Sequence, residues 1–305
     1  MSAQTAATQY VTAANGVKYA YRRIGDNLSV PLVMHIHYRA NMDLWDPLFL
    51  NSLVKARQVI IFDNAGVGRS TGEIALTFQG WADSALSFIE ALQLKQLDLL
   101  GFSMGGYCAQ MIALTAPHLI RRLVLCGTSA SIPSADHVPG VVWPRENATG
   151  PAIKALAESE TREEGARSLE FSFFYDDDRG RAAFDRYWRR VQERTAEPTM
   201  LDLLDAKTGG QRQLEAAYDS FKINPKASFD RLGELKMPVL VANGDDDQLI
   251  PSSRSWELAK QIPNAQLIIY AKAGHGFLWQ YPTLVATHIN MFLDGGEYSD
   301  LSARL

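Results

Sequence analysis

Short apolar runs alternate with segments of helical periodicity along most of the chain. Six runs are rich in Val, Ile and Leu and mostly end in Gly, Asp or Asn; they span residues 31–37, 58–63, 96–102, 121–127, 237–244 and 265–271. Continuous apolar runs of this length are typical of parallel strands that are covered on both faces. The earlier segment 17–24 alternates between apolar and polar residues and therefore predicts an antiparallel strand.

Helical segments fit between these runs. Residues 77–92 place their apolar side chains at three- and four-residue spacings, which makes one apolar stripe formed by Phe78, Trp81, Ala85, Phe88, Ile89 and Leu92. Segments 107–117 and 252–262 also have helical patterns. The alternation of strands and helices predicts an α/β fold with a mostly parallel central sheet flanked by helices.

The pattern changes between about residue 130 and residue 232. This stretch has no clear strand, and it combines charged runs with the aromatic residues Phe171, Phe173, Phe174, Tyr175, Tyr187 and Trp188. We therefore predict a core domain of residues 1–130 and 232–305, with a helical lid inserted at 131–231. An insert that follows a strand lies over the edge where open α/β sheets bind ligands. We expect most lid aromatics to pack against the core and some to line a cavity.

Composition and charge exclude several classes of partner. The formal net charge is −4 and the pI about 5.9, which gives no electrostatic footprint for nucleic acid or an anionic membrane. No apolar run approaches the roughly 20 residues of a membrane span. The polar first residues suggest no secretory signal, and Cys108 and Cys126 lie in apolar segments as expected for buried thiols. We expect a cytoplasmic protein; its oligomeric state, a homodimer included, is left open.

Three glycines surround Ser103 in the segment GFSMGG, between a predicted strand and a predicted helix. A turn this tight strains the central residue and leaves no room for side chains two positions before and after it, where Gly101 and Gly105 stand. Such a turn exposes the Ser103 hydroxyl and points the Met104 amide toward an oxyanion. The alternative is an ordinary glycine turn with an N-cap serine.

A nucleophilic serine needs a base and an acid that orients it. His275 follows the run 265–271 and is flanked by glycines, which places it at the same sheet edge as Ser103. The segment after the run 237–244 offers three adjacent candidates for the acid: Asp245, Asp246 and Asp247. The residues alone do not choose among the three.

Two other motifs suggest different chemistry. The segment FDNAGVGRSTG resembles a phosphate-binding loop, but Asp63 stands where that loop needs glycine and Arg69 where it needs lysine. We favour a structural turn with Arg69 in a salt bridge. His35 and His37 share one face of a strand and could bind zinc, but no further metal-spaced cluster accompanies them. We therefore expect no metal, one histidine packed in the core, and the other near the site.

Five segments, in this order, resemble the α/β-hydrolase fold family in its serine-nucleophile branch of esterases, lactonases and haloperoxidase-like enzymes: HYRANMDLW, FDNAGVGRS, GFSMGG, NGDDDQLIP and AGHGF. The resemblance implies that Ser103 is the nucleophile and His275 the general base and acid. The family's spacing from a glycine and to a proline singles out Asp247. The family's His-Gly-X loop is represented by HIHYRAN, which lacks that glycine, so Tyr38 is our first choice for the second oxyanion amide and Arg39 the second.

The expected activity is hydrolysis of a carboxylic ester or lactone of a small to medium, partly apolar molecule through an acyl-enzyme, with no cofactor. Alternatives on the same triad are a C–C bond hydrolase, an aminopeptidase and a cofactor-free perhydrolase or haloperoxidase-like enzyme. A ligand-binding receptor on a hydrolase scaffold is a further alternative. Four residues are predicted to contact substrate: Arg39, Phe102, Trp188 and Phe277.

Overall fold

The computed structural model describes residues 1–27, 30–134 and 150–295. Its central sheet has eight strands, which lie in the order β1-β2-β4-β3-β5-β6-β7-β8. β1 pairs antiparallel with β2, β2 pairs antiparallel with β4, and all the other pairs are parallel. The strands are β1 (Gln9–Thr12), β2 (Lys18–Ile24), β3 (Leu32–His35), β4 (Val59–Phe62), β5 (Leu97–Phe102), β6 (Ile120–Cys126), β7 (Val239–Gly244) and β8 (Ala265–Tyr270).

Eleven α-helices of the described chain surround this sheet. They are α1 (Pro47–Leu53), α2 (Phe78–Ala91), α3 (Met104–Thr115), α4 (Gly150–Glu158), α5 (Arg162–Phe173), α6 (Asp178–Arg190), α7 (Gln211–Ser220), α8 (Ser228–Arg231), α9 (Ser252–Gln261), α10 (Phe277–Gln280) and α11 (Pro282–Asp294). Over the residues described, no helix combines the length and the apolar character that a membrane crossing requires.

The predicted α/β architecture is confirmed, including the six parallel strands and the antiparallel β2. β3, β4, β5 and β7 are buried along their whole length, as their continuous apolar runs require. The edge strand β1 was not predicted from the sequence. Three of its four residues are exposed, so QYVT lacks the apolar signature of the inner strands.

A helical insert separates β6 from β7. It comprises α4 to α8 and contains no strand within residues 150–231. Residues 135–149 of the predicted lid lie outside the described residues. Arg190 links helix α6 to the core. Its guanidinium binds the buried carboxylate of Asp46, the N-cap residue of α1, at 2.6 and 2.8 Å.

The parallel strands bring their carboxyl ends to one edge of the sheet. Register pairs join the ends of neighbouring strands: His35 with Gly101, Phe102 with Cys126, and Gly244 with Tyr270. The loops that follow β3, β5, β6, β7 and β8 therefore lie side by side, and they carry the residues of the candidate site.

Candidate active site

Ser103 occupies the single residue between β5 and α3. Its φ of 57° and ψ of −124° lie in a region that non-glycine residues rarely adopt, so the turn is strained. The Ser103 amide donates to the carbonyl of Cys126 at 2.9 Å, which fixes the turn against the end of β6. The strained serine turn was predicted from the flanking glycines.

Those glycines give the clearance that the turn needs. A Cβ at Gly101 would collide with the carbonyl oxygen of Gly105. A Cβ at Gly105 would in turn collide with the carbonyl oxygens of His35 and Ile36 at the end of β3. The missing side chains thus let the start of α3 approach the loop after β3 closely.

Asp247 and His275 meet at the ends of β7 and β8. The Nδ1 atom of His275 lies 2.6 Å from Oδ2 of Asp247, and both side chains are inaccessible to solvent. Since a carboxylate only accepts, Nδ1 carries the hydrogen. The other carboxylate oxygen of Asp247 accepts the backbone amides of Leu249 and Ile250, each at 2.8 Å. Of the three adjacent aspartates, Asp247 is the one in contact with His275.

The imidazole of His275 is enclosed by aromatic rings. Phe102 lies below it with ring centroids 5.0 Å apart, and Phe173 of α5 meets it edge-on at 4.8 Å. Gly127 packs its Cα against the same imidazole, since a Cβ there would lie 3.2 Å from the ring. Nε2 of His275 has no hydrogen-bond partner among the described residues, Ser103 included. Catalytic hydrogen bonds are often long before substrate binds.

Two backbone amides border the space in front of Ser103. Met104 is the first residue of α3, so its amide belongs to the helix donors that have no acceptor within the helix. Tyr38 lies on the loop after β3, and its amide donates to no group in the part of the chain that the structure describes. Both residues line the same cavity as Ser103.

This cavity has a volume of about 260 Å³. Its walls are mostly apolar, and among the described lining residues Arg254 alone is cationic; it forms an ion pair with Glu257 at 2.8 Å. The lining includes residues from the core and the insert: His37, Tyr38, Phe78, Ser103, Met104, Tyr107, Ile153, Leu156, Phe173, Leu214, Ala217, Tyr218, Phe221, Leu249 and Ile250.

None of the four predicted substrate contacts lines this cavity. The Arg39 guanidinium donates to groups of the insert, including the carbonyls of Leu204 and Ser159. Phe102 lies under His275. Trp188 packs on other aromatics of α6, and Phe277 stacks on the last residue of β8.

The sequence did contain a signal for some of the residues that line the cavity. Leu214, Ala217 and Tyr218 of α7, and Phe221 directly after it, are spaced as one face of a helix, and all four line the cavity. Phe173 of α5 also lines the cavity, so the expectation that some insert aromatics would do so is confirmed.

The loop that resembles a phosphate-binding motif is a structural turn. The buried carboxylate of Asp63 accepts the amides of Met42 at 2.7 Å and Arg69 at 2.8 Å. Burial raises the pKa of Asp63 to about 6, although the two amides lower it. The Arg69 guanidinium binds Asp43 at 2.7 Å, which confirms the predicted salt bridge.

His35, the last residue of β3, and His37, on the loop after it, have different surroundings. His35 stacks on Trp81 and lies 3.2 Å from the Asn64 amide group, and burial lowers its pKa to about 4. His37 lines the cavity, and burial together with the nearby His275 lowers its pKa to about 3. Both are therefore neutral imidazoles near pH 7, as expected for one core histidine and one near the site.

Comparisons with known proteins agree with this fold. Residues 31–282 match the model of a family described as alpha/beta hydrolase fold. A solved alpha/beta hydrolase fold protein from Chitinophaga pinensis is 34% identical, with a TM-score of 0.81 over 95% of this chain and 98% of the other. A poly(3-hydroxyalkanoate) depolymerase from Ectopseudomonas oleovorans is 30% identical over 86% of this chain and 84% of its own length. A 2-hydroxy-6-oxononadienedioate/2-hydroxy-6-oxononatrienedioate hydrolase from Burkholderia vietnamiensis is 28% identical over 73% and 72%.

Proposed function

The chain belongs to the alpha/beta hydrolase fold family, and on this basis we propose that it is a serine hydrolase that cleaves a carboxylic ester or lactone. Ser103 is the nucleophile, His275 the general base and acid, and Asp247 the residue that orients His275. The observation that carries the proposal is the strained turn that presents Ser103 to a largely apolar cavity. The hydrogen bond between Asp247 and His275 at the same edge supports it.

The reaction proceeds in two halves. His275 Nε2 takes the proton of Ser103 as Oγ attacks the ester carbonyl, and the amides of Met104 and Tyr38 hold the oxyanion. The tetrahedral intermediate collapses, and His275 returns the proton to the leaving alcohol. Water, deprotonated by His275, then attacks the acyl carbonyl and releases the acid and Ser103.

The cavity supports a neutral substrate of small to medium size. Its volume of about 260 Å³ is close to the lower limit for sites that hold organic ligands. Arg254 is paired with Glu257, so the described walls favour an uncharged acyl or alkyl group over a dianion. A buried carboxylate without a cationic partner is strongly disfavoured.

We further propose that the insert acts as a lid. Helices α4, α5 and α7 contribute Ile153, Leu156, Phe173, Leu214 and Tyr218 to the wall of the cavity that Ser103 also lines. Such a cover excludes water from the reacting centre and strengthens electrostatic interactions there.

Release of nitrophenol from short p-nitrophenyl esters tests the proposal. The wild type is expected to turn over, and Ser103→Ala to lose about 10⁴-fold or more of kcat. A fluorophosphonate probe is expected to label the wild type at Ser103, as read by peptide mass spectrometry. A wild type that releases no nitrophenol and takes no label contradicts the proposal.

Hydrolysis of a carbon–carbon bond is the second candidate, and the relative from Burkholderia vietnamiensis favours it. The compound in that relative's name has carboxylates, a ketone and an enol but no ester, so its hydrolysis must break a carbon–carbon bond. Loss of absorbance of a 2-hydroxy-6-oxo dienoate, measured beside the nitrophenyl esters, separates the candidates. The paired state of Arg254 leads us to expect the esters to be the better substrates.

A further inference from the structure

The Tyr38 hydroxyl is a buried polar group without a partner. Tyr38 lines the cavity that holds Ser103, and the residue is 5% exposed. Its hydroxyl oxygen makes no hydrogen bond within the described residues. A buried hydroxyl without a partner costs free energy, so such a group in a binding cavity indicates a ligand atom that satisfies it.

Other hydroxyls of the same wall already have partners. Ser220 donates to the carbonyl of Ala217 at 2.6 Å, and Ser131 accepts the amide of Phe229 at 2.9 Å. Among the described buried polar atoms of the lining residues, two are left: Tyr38 Oη and His37 Nε2.

The His37 imidazole is surrounded by hydrocarbon. Rings of Phe173, Trp279 and Phe102 lie 4.9, 5.3 and 5.5 Å from its centroid. Tyr38 differs, because the titratable groups that act on its phenol are Arg39 and Tyr218, and Tyr218 belongs to α7. Burial is the main cause that raises the pKa of Tyr38 to about 12, against the effect of Arg39, so the phenol stays protonated and able to donate.

We infer that the Tyr38 hydroxyl is a specificity-determining hydrogen-bond donor to a second oxygen of the substrate, apart from the reacting carbonyl. The substrate class is then an ester that carries an additional ether, carbonyl or hydroxyl oxygen. This inference rests on the proposed ester hydrolysis, and it concerns the side chain of Tyr38 rather than its backbone amide. A site built to bind such an oxygen discriminates against the analogue that lacks it.

Isosteric substrates combined with Tyr38→Phe test the inference. Two acyl ethers, p-nitrophenyl ethoxyacetate and p-nitrophenyl 3-methoxypropanoate, are compared with p-nitrophenyl pentanoate. For the alcohol side, 2-methoxyethyl butanoate is compared with butyl butanoate. The readout is the ratio of kcat/KM for ether over alkyl ester, taken in each protein, so that the intrinsic reactivity of the substrates cancels.

For at least one ether, the ratio is expected to be about tenfold higher in the wild type than in Tyr38→Phe. Tyr187→Phe removes a buried tyrosine hydroxyl that does not line this cavity and donates to the carbonyl of Leu44 at 3.0 Å, and its ratio is expected to match the wild type. Ratios that agree within about twofold in wild type and Tyr38→Phe for all three ethers overturn the inference. An equal loss for ether and alkyl esters also overturns it, because the hydroxyl would then act on the reacting carbonyl.

Thermal unfolding without ligand gives an independent readout. Because the hydroxyl has no partner in the protein, Tyr38→Phe is expected to melt at the wild-type temperature or above it. A clear fall in melting temperature would show a protein partner and contradict the inference. If the wild type cleaves none of the esters, the proposed function fails, while the melting result still reports on the hydroxyl itself.

Discussion

Asp247→Asn removes the negative charge beside His275 and keeps the size and shape of the side chain. Oδ1 of Asp247 accepts two backbone amides, those of Leu249 and Ile250. An asparagine keeps both bonds only if its oxygen occupies that position, which turns its NH₂ group toward Nδ1 of His275. The reversed orientation would place the NH₂ group against two N–H donors.

The free-energy preference for this orientation of the asparagine can be estimated. Two hydrogen bonds at about 1 kcal/mol each, together with the repulsion between facing donors, favour it by about 2 kcal/mol or more. With a donor opposite Nδ1, the imidazole of His275 must carry its hydrogen on Nε2. That tautomer has no lone pair for the Ser103 proton, and nothing stabilises the imidazolium. We expect kcat to fall by about 10³- to 10⁴-fold, equal to about 4–5.5 kcal/mol in the barrier.

The assay is steady-state release of nitrophenol from a short p-nitrophenyl ester, with thermal unfolding measured on the same samples. Asp246→Asn is the matched control, because it removes the same charge from the adjacent residue, and we expect it to change kcat less than about threefold. A loss smaller than tenfold for Asp247→Asn, in a protein that melts normally, would refute the tautomer argument. Equal losses in both variants would refute the assignment of Asp247.

Two further predictions concern the fold around the site. Gly105→Ala places a methyl group against the carbonyl oxygen of His35. We expect the free energy of unfolding, measured in urea, to fall by about 1–3 kcal/mol or more, and turnover to be lost. Gly233→Ala, which adds its methyl group in open space, should change neither, and a tolerated Gly105→Ala would contradict the clearance argument. Burial and His275 hold the pKa of His37 at about 3 in the folded state, so between pH 6.5 and 4 the unfolded chain binds this proton and the folded chain does not. The stability that neutral His37 gives above pH 6.5 is therefore lost as the pH falls. His37→Gln should lower the slope of the unfolding free energy against pH by about 1.4 kcal/mol per pH unit in this range. An unchanged slope would show that folded His37 titrates normally.

The parts of this protein that sequence could predict depend on short-range patterns. The strands, the strained turn at Ser103 and the placement of His275 each follow from a few consecutive residues. Asp247 needed the family's spacing, because its neighbours Asp245 and Asp246 have the same chemistry. The structure distinguishes Asp247 by its contact with an imidazole 28 residues away.

The residues that line the cavity have a helical pattern in the sequence, but that pattern does not show which helix faces the cavity. Phe102 and Phe277 adjoin Ser103 and His275 in sequence, but they lie beneath the site as packing. The cavity wall comes instead from α7 and α5, whose position depends on how the insert folds back over the sheet. The edge strand β1 was missed because an exposed strand has no apolar run.

Arg39 explains how the loop HIHYRAN is held without the glycine that the family pattern led us to expect. Its φ of 59° is a conformation that glycine adopts freely and that costs other residues about 1–2 kcal/mol. The guanidinium is buried and donates to the carbonyl of Leu204 at 2.5 Å and to the carbonyl of Ser159 at 2.8 Å. The Arg39 amide donates to the side chain of Gln213 at 2.6 Å, and its carbonyl accepts the amide of Leu204.

All these partners belong to the insert, so the strain of the loop is offset by bonds to the proposed lid rather than avoided by a glycine. Tyr38, whose amide we propose as an oxyanion donor, is the residue directly before Arg39. The position of that amide is therefore coupled to the position of the insert. A displacement of the insert would break the bonds of Arg39 and shift the loop that carries the proposed second oxyanion amide.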